Sequence, residues 1–219
     1  FLSDYIVFGN DTLDNYEAGS DFFVLKFDAD GNALWARTAD DYSLDEVATA
    51  ITADAIGNVY VTGWFNGDIM IFSYDTLFNF GSPGEPDIFI VKYDALGNLL
   101  WVKNAGGYNV DNSTDIIADT SGGGGIFLIG NYDAPFCFFD SIILNGSGIF
   151  MTKYDTIGNA IWAVKGPGGA QIYDVIIDPS GNGDIYATGG FDAYSIIFGN
   201  DTLINVNYGN WDVFVVKYN

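Results

Sequence analysis

One ten-residue pattern constrains the fold of this chain more than any other. Lys92–Trp101, KYDALGNLLW, recurs as Lys26–Trp35, KFDADGNALW, and as Lys153–Trp162, KYDTIGNAIW. A fourth copy starts at Lys217-Tyr218-Asn219. The four lysines are spaced by 66, 61 and 64 residues. A second ladder keeps the same period: Phe1, Phe65, Tyr132 and Phe191 are followed by Phe8, Phe72, Phe139 and Phe198, then by Leu13, Leu77, Leu144 and Leu203. Two ladders with one period mean true internal repeats, and internal repeats decide the fold.

Each unit reads as strands joined by tight turns. In the most complete copy, Val47–Asp54 and Val59–Phe65 are β-branched or aromatic runs separated by Ala55–Asn58. An additional apolar segment, IMIF, follows, and then Asp87–Tyr93 and Asn98–Lys103 give the third and fourth main strands. Similar units begin near Thr114 and Ile172, while residues 1–38 supply only the inserted segment and the last two strands. The turn D-x-x-G-N has a mechanism: the first Asp side chain can accept backbone N–H groups two residues on, and Gly permits the left-handed conformation. It occurs at Asp28–Asn32, Asp54–Asn58, Asp94–Asn98 and Asp155–Asn159. No segment shows helical periodicity.

Four antiparallel strands make a twisted sheet that cannot cover both its faces. Stacking such sheets around an axis does so, which is the β-propeller solution. The expected fold is therefore all-β, with propeller-like blades of four antiparallel strands. About three repeats are expected, with partial blades at both ends: 1–38, 46–104, 113–165 and 171–219. Open sheet edges would invite further blades or another chain, so this stretch alone is not expected to close into a ring. It begins with Phe1 and stops within a motif copy, and is read as a segment of a longer protein.

Composition narrows the chemistry. The formal charge is −22 with seven Lys and Arg, which repels nucleic acid phosphates and anionic lipid. Apolar runs are short, so no membrane insertion is expected. The absence of histidine removes Ser-His-Asp and Cys-His catalysis and any His-ligated metal. The one cysteine, Cys137, lies in an aromatic run, PFCFF, and reads as a buried thiol. Only three Glu occur, Glu17, Glu46 and Glu85, none in an acid/base motif.

Every cation sits at a repeat position: Lys26, Lys92, Lys153 and Lys217, with Arg37, Lys103 and Lys165 just after the tryptophans. A ring of cations for an anion is one reading; pairing with Asp of a neighbouring turn or blade is the preferred one. Trp35, Trp101 and Trp162 read as packing between blades. Trp64 and Trp211 lie off that ladder and are the candidates for an exposed aromatic contact. Asp28-Ala29-Asp30-Gly31-Asn32 has a passing likeness to a calcium loop. Leu96 and Ile157 replace Asp30 in the other copies, and calcium needs about six to eight oxygens. Turn chemistry is preferred for Asp28, Asp94 and Asp155, and no cofactor is expected.

KYDALGNLLW, taken with VYVTG at 59–63 and IIAD at 116–119, resembles the SBBP-type β-propeller repeat, and the strand order is similar to NHL repeats with an added hairpin. The resemblance implies a large secreted or surface-exposed bacterial protein of the kind exported by type IX secretion. It implies binding or structural work, as an adhesin or a unit of a surface assembly or filament, and not catalysis. Partners would be a protein or glycan at a surface, or further repeats. A carbohydrate-binding or carbohydrate-cleaving propeller is the competing reading. Asp-Thr-Leu at 11–13, 75–77 and 201–203 resembles the bacterial Asp-Ser/Thr-apolar O-glycosylation acceptor. That resemblance marks Thr12, Thr76 and Thr202 as candidate glycoprotein sites, with Ser141 and Thr156 in related triplets. Asn10, Asn112, Asn145 and Asn200 match N-x-S/T.

Overall fold

A computed structural model describes residues 1–15, 19–39, 45–82, 84–133, 135–207 and 209–218. Glu17, and Asn219 of the fourth motif copy, lie outside the described residues. The described residues form strands, turns and bends with no helix, so none is long and apolar enough to cross a membrane.

Strands β1 (Tyr5–Phe8), β2 (Asp11–Asp14), β3 (Val24–Phe27) and β4 (Ala33–Arg37) belong to blade 1. Blade 2 comprises β5 (Glu46–Ala53), β6 (Val59–Phe65), the hairpin β7 (Ile69–Phe72) and β8 (Asp75–Phe78), then β9 (Asp87–Tyr93) and β10 (Leu99–Gly107). In blade 3 they are β11 (Asp111–Ala118), β12 (Ile126–Tyr132), β13 (Phe136–Phe139), β14 (Ile142–Asn145), β15 (Gly148–Tyr154) and β16 (Ala160–Lys165). Blade 4 has β17 (Ala170–Ile177), β18 (Ile185–Phe191), β19 (Ser195–Phe198), β20 (Asp201–Ile204) and β21 (Asp212–Tyr218). The main strands of each blade pair antiparallel in meander order, as in β11-β12-β15-β16. The first strands of successive blades pack on one another, β5 on β11 and β11 on β17. This is the all-β, propeller-like architecture that the repeats dictate.

The core lies between blades. Alternate residues of a strand face opposite junctions. On β9, Phe89 and Val91 pack toward blade 1 with Phe22, Val24 and Trp35. Ile88 and Ile90 pack toward blade 3 with Ile116, Leu128 and Phe150. A third cluster joins Ile129, Ile149 and Met151 of blade 3 to Ile172, Ile185 and Phe214 of blade 4. Covering both faces buries every residue of β9. On β21 the burial alternates instead, and Val213 and Val215 are 84% and 71% exposed.

The inserted segment is a hairpin in every blade, closed by two residues, the first with positive φ: Gly9 at 60°, Ser73 at 52°, Asp140 at 50° and Gly199 at 58°. That is the requirement of a type II′ turn. In blade 3 the hairpin crosses the junction. Ala105, Gly106 and Gly107 of β10 pair with Phe139, Phe138 and Cys137 of β13, giving a six-stranded sheet ordered β14-β13-β10-β9-β6-β5. The pairing carries β10 to Gly107, and β11 starts at Asp111, so this boundary lies tighter than the expected 104 and 113.

Candidate functional site: the blade junctions

The turns are built as carboxylate cradles. Asp94 Oδ1 accepts the backbone N–H of Leu96 at 2.8 Å and of Asn98 at 2.9 Å, and Oδ2 accepts Asn98 Nδ2 at 2.8 Å. Asp28 and Asp155 make the same three bonds, as does Asp54. In Asp28 and Asp94, the Asn side-chain amide first and backbone N–H second hold the carboxyl below the usual range.

The turn of one blade receives the lysine and tryptophan of the preceding blade. Lys92 Nζ donates to Thr156 O at 2.9 Å, and Trp101 Nε1 donates to the same carbonyl at 3.2 Å. One junction earlier, Lys26 Nζ and Trp35 Nε1 both donate to Ala95 O, at 2.7 and 3.3 Å. A one-residue bulge makes this possible. Lys92 pairs with Trp101 and Tyr93 with Leu99, so Leu100 is skipped and the indole turns to the lysine's face. Leu34 and Ile161 are skipped identically.

The other two lysines do pair with Asp, but within their own blades. Lys153 Nζ lies 2.6 Å from Asp119 Oδ2; Lys217 Nζ lies 2.7 Å from Asp178 Oδ2 and 2.9 Å from Asp184 Oδ2. Lys92, Lys153 and Lys217 sit over the rings of Tyr60, Phe127 and Tyr186, 4.7–5.2 Å from the centroids. The remaining cations are also engaged: Arg37 Nε donates to Gly97 O at 2.7 Å, Lys103 lies 3.3 Å from Asp140, and Lys165 donates to Asn145 O at 3.0 Å.

Trp35 is buried and Trp101 and Trp162 are half-buried at junctions. Trp64 is half-buried on β6; Trp211 is exposed at the entry to β21, with its ring edge against Gly190. Thr12, Thr76 and Thr202 are exposed on the second hairpin strand, opposite Val7, Ile71 and Ile197. The hairpin register puts Ile143, opposite Phe138, at that place in blade 3. Ser141 lies instead in the exposed hairpin turn, and Thr156 in an exposed turn with its carbonyl occupied.

Two clefts accompany this framework. One of about 460 Å³ opens where the first strands end, lined by Thr52, Ala53, Ile117, Ser121, Ile176 and Pro179. A groove of about 250 Å³ lies between blades 1 and 2 and includes Asp11, Thr12, Asp14, Arg37 and Tyr93. Among the described residues, no group of three or more Cys, Asp or Glu side chains is arranged to hold a metal ion.

Sequence reasoning missed a third recurring feature, buried acids at strand starts facing the first two junctions. Asp87 begins β9 and Asp111 begins β11, both fully buried. Asp87 Oδ2 accepts the N–H of Phe80 at 2.6 Å, and Asp111 Oδ1 accepts that of Asp133 at 3.2 Å. Glu46, also buried, begins β5 and lies beside the carboxyl of Asp21, which precedes β3. The signal was present: the acids recur at equivalent places, but a single Asp beside Pro86 or Val110 reads as a solvated loop residue.

No protein-family profile matches the chain. Among curated proteins, it is similar to an uncharacterized WD repeat-containing protein of Acanthamoeba polyphaga mimivirus, 29% identical over 90% of this chain. It is also similar to the regulatory protein FlaEY of Caulobacter vibrioides, 26% identical over 91% of this chain. The chain spans 17% and 22% of the lengths of these two relatives. The WD-repeat name fits a repeated β-structure of the kind seen in the blades.

Proposed function

We propose that this chain is a non-catalytic repeat module that works by association, as an adhesive or structural unit of an extracellular or cell-surface assembly. The observation that carries this reading is the uncovered face of blade 4. Val213 and Val215 are 84% and 71% exposed, whereas their counterparts Ile88 and Ile90 in blade 2 are fully buried under a neighbouring blade. Covering an aliphatic side chain contributes about 1.5–3 kcal/mol. A further blade of the same type is the occupant whose shape and chemistry match. Engaged cations support the reading too: Lys26, Arg37, Lys92 and Lys103 hold groups of the next blade.

The finer resemblance to SBBP-type repeats, with export by type IX secretion and glycosylation of Thr12, Thr76 or Thr202, belongs to this proposal. Its support is the motif pattern and the exposure of the three threonines. Light scattering of the wild-type chain and a Val213→Asp/Val215→Asp variant tests the association. The wild type should self-associate or bind a separately made repeat, and the variant should not; a wild type that stays monomeric and binds no repeat at high concentration refutes the reading. Antibody labelling of intact cells tests the location. A glycan array tests the carbohydrate alternative, for which the cleft at the ends of β5, β11 and β17 is the candidate site.

A further inference from the structure

Acid pairs recur at the blade junctions. At the junction of blades 2 and 3, Asp111 N–H donates to Pro86 O at 2.8 Å, which sets Asp111 beside Asp87. One oxygen of each carboxyl accepts a backbone N–H, and the N–H of Gly107 acts on both carboxyls, but Asp87 Oδ1 and Asp111 Oδ2 are buried with no close hydrogen bond. Both lie at Gly106–Gly107: a Cβ on Gly106 would sit 2.1 Å from Asp87 Oδ1, and one on Gly107 3.5 Å from Asp111 Oδ2. The junction of blades 1 and 2 repeats the arrangement. Glu46 N–H donates to Ser20 O at 2.7 Å, which sets the buried Glu46 carboxyl beside that of Asp21. Between blades 3 and 4, half-buried Asp115 lies beside exposed Asp174 and accepts Val175 N–H at 2.9 Å.

Adjacent acids in a junction of low polarity resist double ionisation, so one is favoured to keep its proton. The Lys and Arg side chains are committed elsewhere. The charged groups acting on Asp111 are Asp87 and Asp133, both acidic. Tyr132 and Cys137 face the pair as neutral groups, and their own ionisation is opposed by burial and by Asp111. At Asp21 the facing cation is the amino terminus of Phe1.

We propose that these pairs are proton-held latches between blades. Each holds a proton on one of its acids, and removing that proton as pH rises puts charge into the junction and loosens it. This inference does not depend on the associative role proposed above.

The energetics agree in direction. Burial first, then the charge of Asp87, pushes Asp111 up to about 8. Burial pushes Asp87 up to about 7 and Asp115 up to about 6. These values exceed the unfolded value of about 4, so the folded state holds more protons. The latch contribution is complete below pH about 4 and is lost as pH rises through about 6–8. Over that window the folding equilibrium constant falls by up to about tenfold per pH unit for each proton held. With no histidine in the sequence, few other groups obscure the effect.

Urea unfolding of the whole chain between pH 5.5 and 9 tests the proposal, with Asp87→Asn and Asp111→Asn as variants. An amide supplies the missing hydrogen permanently. The wild-type folding constant should fall by about tenfold or more from pH 6 to 8.5, and by much less in either variant. An equal fall in variant and wild type, or no fall in the wild type, overturns the proposal. Should neither variant fold, carbon-13 NMR titration of wild-type carboxyl groups decides. A carboxyl titrating near pH 7–8 supports the latch, and titration of all of them below pH 5 refutes it.

Discussion

Trp101 and Gly158 touch across the junction of blades 2 and 3. A Cβ on Gly158 would sit 3.0 Å from Trp101 Cδ2, and Gly158 has φ of +87°. Gly97 meets Trp35 in the same way at the preceding junction, at 2.8 Å and φ of +82°. The glycine of D-x-x-G-N thus has two duties: it closes its own turn, and it is the flat surface on which the previous blade's indole rests.

Gly31 separates these duties. Its φ is +84°, yet a Cβ there would meet nothing within 4 Å. Gly31→Ala should therefore cost only the backbone term, about 1–2 kcal/mol. Gly158→Ala should cost that plus about 1–3 kcal/mol of overpacking against Trp101. Urea unfolding of both variants measures the difference. Equal losses would mean that the indole contact contributes nothing.

The lysines are predicted to differ in the same graded way. Lys92 is buried, and burial lowers its pKa, but it holds Thr156 O across a junction. Lys92→Met should destabilise by about 1–2 kcal/mol, near the range for a hydrogen bond to a charged group, reduced by the relief of desolvation. Lys103 and Asp140 are about one-third exposed at 3.3 Å, and Lys103→Met should change stability by about 0.5 kcal/mol or less. A larger effect at Lys103 than at Lys92 would contradict the assignment of Lys92 to the junction.

At low pH the turn carboxylates govern stability. Asp28 and Asp94 are held below the usual range by the amides of Asn32 and Asn98 and by backbone N–H groups. Their contribution is present above pH about 4 and is lost as pH falls through the folded values. Asp94→Asn should lower the urea midpoint at pH 7, and its curve should converge on that of the wild type in strong acid, where protonation removes the same bonds. A constant gap down to pH 2 would show that Asp94 acts through shape alone. The junction pairs have the opposite sign and lose stability as pH rises, so the two classes of carboxyl bracket an optimum in mildly acidic solution.

The blades were legible in the sequence because their determinants are local. Asp28–Asn32 and its copies specify a turn within five residues, and alternation marks the strands on either side. Features formed by distant segments were not legible. Gly106-Gly107 looks like a loop, and becomes strand because Phe138 and Cys137 arrive from the next blade to pair with it. Ser141 sits in an Asp-Ser-Ile triplet near the Asp-Thr-Leu series, but positive φ at Asp140 aligns that aspartate with Gly9 and not with Asp11. The lysine partners were half legible: carboxylates for Lys153 and Lys217, but backbone carbonyls for Lys26 and Lys92. A carbonyl carries no residue-type signature.

Cys137 reports on the hairpin that bridges blades 2 and 3. It is fully buried on β13 opposite Gly107, and burial, with Asp111 and Asp87 next, pushes its thiol far above the ordinary range. Only the thiolate alkylates readily, so modification requires the hairpin to leave β10. Phe139, two residues on, is fully buried against Phe150, with ring centroids 4.8 Å apart. The hairpin should therefore open with the junction and not by itself. Iodoacetamide should modify native Cys137 roughly a thousandfold or more slowly than it does the urea-unfolded chain, as expected for a site that opens with a stable core. Phe139→Ala, which removes about 3–5 kcal/mol of packing, should erase most of that protection while leaving the turn cradles of blade 1 unchanged by NMR. Fast labelling of the native wild type would show that the hairpin frays independently, and the six-stranded sheet would then be a docking contact with little hold on the junction.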